Sequence, residues 1–177
     1  MNRIILFTVF YPGAEEYVDE FIESVTNQTY KEFDLLIVND GYTQSNLQTQ
    51  YPQLHIIEIE GNNTISGNRA LGINFAIRNS YDILFLCDVD DYISPKRVEI
   101  CLAALSSTDI VVNDLDIVDA NRRIIFKDYF QKSIDDQTYI DKDFISTKNI
   151  FGFSNTALRV SKLTEVEFPK DLRIVDW

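Results

Sequence analysis

Four short runs of consecutive apolar residues mark the first half of the chain: "RIILFTVF" at 3–10, "FDLLIVND" at 33–40, "LHIIEI" at 54–59 and "DILFLC" at 82–87. Segments with helical spacing follow most of them. In 15–27, Tyr17, Val18, Phe21, Ile22 and Val25 recur on one face, and 66–78 repeats the pattern through Leu71, Ile73, Phe75, Ala76 and Ile77. A weaker helix is predicted over 44–51, and another from Pro95, with Ser94 as its N-cap, to about Leu105. Strands that are apolar throughout, alternating with helices, predict a parallel sheet covered on both faces. A fifth strand, "DIVVNDLDIV", is predicted over 109–118. Beyond it the pattern changes: "DANRR" reads as a turn and "IIFKDYF" as an antiparallel strand, while 131–148 is polar and irregular. "SNTALRV" and "LRIVDW" read as short strands or as loops entering helices.

At 177 residues the chain fits one domain with a sizeable core. No apolar run reaches the roughly 20 residues that span a bilayer, and the N-terminal segment reads as a strand rather than a signal peptide. Cys87 and Cys101 lack metal-ligand spacing and sit among apolar residues. They are expected to be free thiols in a reducing, cytoplasmic setting. A net charge of −12 argues against nucleic acid as a partner of the whole surface. An anionic ligand would therefore need a local cation, an arginine or backbone N–H groups.

The ends of the strands are where the chemistry concentrates. In open α/β sheets, ligands bind outside the carboxyl ends of the strands. Thr8, Phe10 and Tyr11 close the first strand, Asp40 the second, and Asp88, Asp90 and Asp91 the fourth, in "LFLCDVDDYISP". Three carboxylates within four positions repel one another unless a cation joins them. Oxygen donors of this kind suit Mg²⁺ or Mn²⁺ held together with substrate phosphates. Asp also caps helices and forms turns, so a solvated turn is the competing account. An EF-hand is excluded, because Ile93 stands where that loop requires glycine and Tyr92 at a ligand position. A dinucleotide-binding fold is excluded by the lack of Gly-x-Gly-x-x-Gly. His55, inside a strand, reads as structural.

Taken together, several segments resemble glycosyltransferase family 2, whose fold is GT-A. "EEYVDEFIESVTNQTYKEFDLLIVNDGYT" is similar to that family's first helix and second strand, which usually ends in Asp-Asp-Gly-Ser. "SGNRALGINFA" resembles its Ala-Arg-Asn-x-Gly element, and "ILFLCDVDDYISPKRVE" its Asp-x-Asp metal segment. "FGFSNTALRVSKL" is similar to the segment that precedes the catalytic base, and "RIVDW" to the Asp-Trp element that carries the base.

The resemblance implies a Rossmann-like, mostly parallel sheet with helices on both faces and a small antiparallel element toward the C-terminus. It implies one domain over 1–177, with a nucleotide-binding half at 1–117 and an acceptor-side half at 118–177 that is shorter than usual. The activity implied is inverting, metal-assisted sugar transfer from a nucleoside diphosphate sugar, UDP being the expected nucleotide. The acceptor would be a hydroxyl of a glycan or lipid-linked saccharide, in polysaccharide biosynthesis. Carried over by position, Thr8 and Phe10 would flank the base and ribose, and Asp40 would accept from the uracil N–H. Arg69 would lie by the diphosphate or the sugar, Asp88 and Asp90 by the donor, and Asp90 and Asp91 on Mn²⁺ or Mg²⁺. Asp176 would be the general base.

The chain departs from the pattern at Asn39, Tyr42 and Ala70, where the family usually has Asp, Ser and Asn. Two alternatives stand beside this reading: a module that binds a nucleotide sugar without turning it over, and a sugar nucleotidyltransferase. The second lacks support at "FYPGAEE", which has one glycine and no basic residue to cradle phosphates.

Overall fold

A computed structural model of the chain describes residues 2–43, 47–130, 140, 142–146, 150–169 and 172. Its centre is a six-stranded sheet of β1 (Ile4–Phe10), β2 (Asp34–Asn39), β3 (His55–Glu60), β4 (Ile83–Leu86), β5 (Ile110–Val112) and β8 (Thr156–Arg159), in the order β3-β2-β1-β4-β8-β5. β1, β2, β3 and β4 run parallel, as the apolar runs predict. α1 (Glu15–Thr26) joins β1 to β2, the short α2 (Leu47–Gln50) precedes β3, and α3 (Ile65–Arg78) leads to β4. α4 (Arg97–Ala104) follows β4.

Side chains of the central strands alternate between two cores. Ile4, Leu6, Phe10, Leu35, Ile37, Ile83 and Phe85 pack on one side with Phe21 and Ile22 of α1 and Val98 and Cys101 of α4. Ile5, Phe7, Leu36, Val38 and Leu84 pack on the other with Ala76 of α3. Each central strand is thus buried on both faces, which is why its sequence is apolar at nearly every position. α3 lies close against β1 at Gly72, where a Cβ would stand 2.1 Å from the Phe7 ring.

The C-terminal part departs from the sequence reading at the fifth strand. The predicted fifth strand is divided into β5 (Ile110–Val112) and β6 (Ile117–Val118), in different sheets. The Asp114 carboxylate between them accepts from the N–H groups of Leu115 and Phe130 and so turns the chain out of the main sheet. β6 then pairs antiparallel with β7 (Ile124–Phe126), after the turn that "DANRR" predicts. β8 (Thr156–Arg159) is the short strand within "SNTALRV"; it inserts between β4 and β5 and runs antiparallel to both. A short helix, α5 (Lys142–Ile145), lies between β7 and β8 in sequence. α4 also begins later than predicted. Its N-cap is Lys96, and Ser94 instead accepts the Arg97 N–H at its carbonyl.

Candidate active site

The acidic turn is fastened to the sheet before it leaves it. Cys87, just past β4, donates its N–H to Phe7 of β1. Asp91 donates its N–H back to the Asp88 carbonyl, which folds Asp88, Val89, Asp90 and Asp91 into one turn. Val89 goes into the core at 2% exposure, so the three aspartates are left on the outer side. One carboxylate oxygen from each lies within 4.8 Å of the other two.

Asp88 is the most enclosed of the three. Its carboxyl is pushed up by burial, against the opposing pull of the Arg69 guanidinium and a hydrogen bond from Ser154, with Asp90 and Asp91 adding repulsion. The Ser154 hydroxyl donates to Asp88 Oδ2 at 2.8 Å, and Arg69 Nη2 stands 3.6 Å from Asp88 Oδ1. Asp91 is exposed as a residue, yet desolvation of its carboxyl also pushes it up, opposed by Ser154. Arg69 lies over the Phe153 ring at 4.3 Å, and Phe153 meets Phe7 edge-on. β8 therefore supplies, through Phe153 and Ser154 just before it, the wall that faces α3 and the turn.

A buried cation lies behind this turn. Arg97, at the start of α4, is 6% exposed. Its guanidinium donates to the Leu86 carbonyl at 2.9 Å, to Cys87 Sγ at 3.3 Å and to Asn113 Oδ1 at 3.0 Å, with a longer contact to the Thr156 carbonyl. It ties β4, the residue after β5 and β8 together at the point where the aspartates emerge.

A second group forms at the end of β2. Asp40 is bound through its N–H to the Phe10 carbonyl, and its Oδ1 accepts from the Asn63 N–H at 2.7 Å. Asn68, 1% exposed, accepts the Asn62 N–H at 2.7 Å. Gly61 is required between them, because a Cβ there would stand 2.7 Å from Asp40 Oδ1 and 2.9 Å from Asn68 Oδ1. The 61–63 loop is thus held against the Asp40 carboxylate.

Of the residues singled out in the sequence, Arg69, Asp88, Asp90 and Asp91 come together in one cluster. Asp40 stands at a neighbouring strand end. The side chains of Thr8 and Phe10 are both 0% exposed, and Phe10 packs against Phe21 and Tyr42, so in this structure neither offers side-chain surface to a ligand. The strand is covered on both faces, and the first residue past it, Tyr11, is the one that emerges, at 37% exposure. Its phenol is pushed up by desolvation and then by Asp90 and Asp88, which places it in the field of the turn. Asp176 lies outside the described residues. His55 opens β3 with Nδ1 2.7 Å from Asp34 Oδ1, in keeping with a structural role.

Sequence reasoning missed Ser154, Phe153, Asn68 and Arg97. The first two lie in "FGFSN", a segment noted only as a whole. Asn68 lies in "SGNRALGINFA", likewise noted only as a whole, and its buried amide holds the 61–63 loop.

The family model for Glycosyl transferase family 2 matches residues 5–166. The chain belongs to glycosyltransferase family 2. Among characterised and uncharacterised relatives, it is 33% identical over 102 residues to the uncharacterised glycosyltransferase YwdF of Bacillus subtilis, covering 56% of this chain and 37% of that protein. It is 30% identical over 110 residues to the hyaluronan synthase of Pasteurella multocida, covering 58% of this chain and 11% of that protein. The chain thus spans about a third or less of these two relatives. Among solved structures, S. aureus TarS 1–349 in complex with UDP superimposes with a TM-score of 0.72 at 19% identity, over 98% of this chain and 52% of that one. The shared fold is the GT-A fold that the sequence implies. Among the described residues, no helix is long and apolar enough to cross a membrane.

The acidic turn of this family 2 domain suits a divalent cation. Its donors are hard carboxylate oxygens, close enough to share one ion, and burial and mutual repulsion already push two of the carboxyls up. Positive charge among them would relieve both effects.

Proposed function

We propose that the chain is the catalytic domain of an inverting glycosyltransferase that moves a sugar from a nucleoside diphosphate sugar, with UDP as the nucleotide, to a hydroxyl of a glycan or lipid-linked saccharide. The observation that carries the reading is the joining of Asp88, Asp90 and Asp91 with Arg69 at the carboxyl end of β4. Carboxylates alone would repel a diphosphate, and an arginine alone would not explain three aspartates. The pair suits an anionic ligand that arrives with a divalent cation. The UDP bound by TarS, which shares the fold, supports the choice of nucleotide.

In this reading, Asp90 and Asp91 hold Mn²⁺ or Mg²⁺, which when bound offsets charge on the departing diphosphate. Arg69 turns its guanidinium toward the same phosphates. Asp40, with one oxygen engaged by Asn63, keeps its other oxygen for the base N–H. Tyr11 takes the place that Phe10 cannot fill, beside the base. Asp176 is the general base, taking the proton of the acceptor hydroxyl as that oxygen attacks the anomeric carbon. Residues 1–117 serve the donor and 118–177 the acceptor. The work is cytoplasmic, toward a polysaccharide.

The test is a titration of UDP into the protein with Mn²⁺ and then with EDTA, beside an Asp90→Ala/Asp91→Ala variant. Metal-dependent binding that the variant loses is expected. A folded protein that binds no UDP, GDP or dTDP under either condition would overturn the reading. Release of free sugar from a UDP-sugar panel then separates an enzyme from a module that only binds the donor.

A further inference from the structure

A buried guanidinium normally has a carboxylate beside it, because an uncompensated charge in the interior is strongly unfavourable. Arg97 does not. All four of its hydrogen-bond partners are neutral, and among the described residues no ion pair includes it. What does face it is the acidic turn. Arg97 bonds to Leu86 and Cys87, the two residues immediately before Asp88, at the point where the turn leaves β4. On the outer side, Arg69 reaches Asp88. Two arginines thus bracket three carboxylates, Arg69 from the side of α3 and Phe153, and Arg97 from the core behind β4. Arg97, held by four bonds and 6% exposed, cannot leave.

We propose that Arg97 is the permanent counter-charge of the acidic turn, and that it keeps the turn's affinity for a free divalent cation low, so that the metal is held firmly only together with an anionic diphosphate. Resting on the donor reading above, this assigns Arg97 a positioning and electrostatic role rather than contact with substrate. Three clustered carboxylates with no cation behind them would capture a divalent ion by themselves. With a fixed positive charge at their back, the cation gains most when a diphosphate supplies the remaining negative charge and ligand oxygens. Arg97 also keeps the turn folded while no metal is present, by offsetting the mutual repulsion of the aspartates.

The experiment measures Mn²⁺ binding by the loss of the free-ion electron paramagnetic resonance signal, with and without UDP, in the wild-type protein and in Arg97→Met, Arg97→Gln and Arg97→Lys. Circular dichroism checks the fold of each. A purely structural arginine would make every variant bind Mn²⁺ more weakly. The proposal expects the reverse for the neutral variants. Arg97→Met and Arg97→Gln, if folded, should bind Mn²⁺ alone about tenfold more tightly than wild type, and Arg97→Lys should match wild type, since removing one nearby charge shifts a divalent equilibrium by at least that order. Weaker or unchanged binding in a folded neutral variant overturns it. Equal Mn²⁺ affinity of the wild type with and without UDP, after subtraction of Mn²⁺ bound by UDP alone, overturns it as well. Failure of the donor reading looks different, as UDP then fails to bind the wild type at all while the Mn²⁺-only comparison of the variants still stands.

Discussion

Ser154 and Asp88, 66 positions apart, are joined by a 2.8 Å hydrogen bond from the serine hydroxyl to the carboxylate. This bond fastens the antiparallel strand β8 to the turn that leaves the parallel strand β4. It makes the geometry of the acidic turn depend on a segment far away in the chain. Ser154→Ala removes the donor and leaves the carboxyl more exposed to its neighbours' repulsion. Metal-dependent UDP binding should weaken about three- to tenfold, the worth of roughly one hydrogen bond to a charged group. The melting temperature should stay nearly constant, since the serine is only half-buried. Calorimetric titration of UDP with Mn²⁺ checks the first statement and a thermal melt the second.

Asn39 stands where the family resemblance leads one to expect Asp, and its hydrogen bonds fit an amide. Its Nδ2 donates to Glu58 Oε1 at 2.7 Å and to the Tyr42 carbonyl, while its Oδ1 accepts from the N–H groups of Gly41 and Tyr42. A carboxylate there would face Glu58 with no proton to give. Asn39→Asp should lower stability by about 1–2 kcal/mol at pH 7, through lost donation and like-charge repulsion. Glu58→Gln, added to it, should restore most of that loss by supplying an amide donor. Urea denaturation of the three proteins decides it, and no rescue by the second change would refute the pairing.

Gly72 lets α3 close on the sheet. A Cβ at this position would come within 2.1–2.3 Å of three atoms of the Phe7 ring, which is itself fully buried. Gly72→Ala should therefore destabilise by about 2–3 kcal/mol, in the range for overpacking a filled core. Phe7→Leu in the same chain should recover part of this, because it removes the atoms that collide. A double variant no more stable than Gly72→Ala alone would point to a different cause.

At the other end of the sheet, Tyr81 donates its hydroxyl to Asp34, and Arg3 lies over its ring. Its phenol is pushed up to about 12, first by burial and then by the hydrogen bond and charge of Asp34. An unfolded chain releases this proton near 10 and the folded one near 12. The stability that the neutral phenol contributes is thus present below pH 10 and is lost as pH rises through 12. Tyr81→Phe should flatten this part of the pH–stability curve. It should also lower stability near neutral pH by about 1 kcal/mol, for the lost hydrogen bond. Denaturant midpoints measured from pH 7 to pH 11.5 check both effects, and a variant with the wild-type slope would reject the assignment.

Legibility in the sequence followed the range of each interaction. Strand and helix positions in the first half were readable because apolar spacing is local. The phase of β1 was not. A strand covered on both faces is apolar at nearly every position, so nothing in "TVFY" says that Phe10 turns inward beside Phe21 and that Tyr11 is the residue to emerge. The break between β5 and β6 was also hidden, because it is made by Asp114 reaching the N–H of Phe130 across the ribbon.

By itself, the sequence determined the alternation of strands and helices, the order of the family segments and the placing of three aspartates at the end of β4. Each of these is written in neighbouring residues, where hydrophobic spacing and turn chemistry act directly. Tertiary structure alone decided that β8 enters antiparallel between β4 and β5, that Ser154 and Arg69 converge on Asp88, and that Arg97 lies buried behind the turn on neutral partners. Those relationships join residues tens of positions apart. An arginine in a helix reads as a surface residue until the strands packed around it are known.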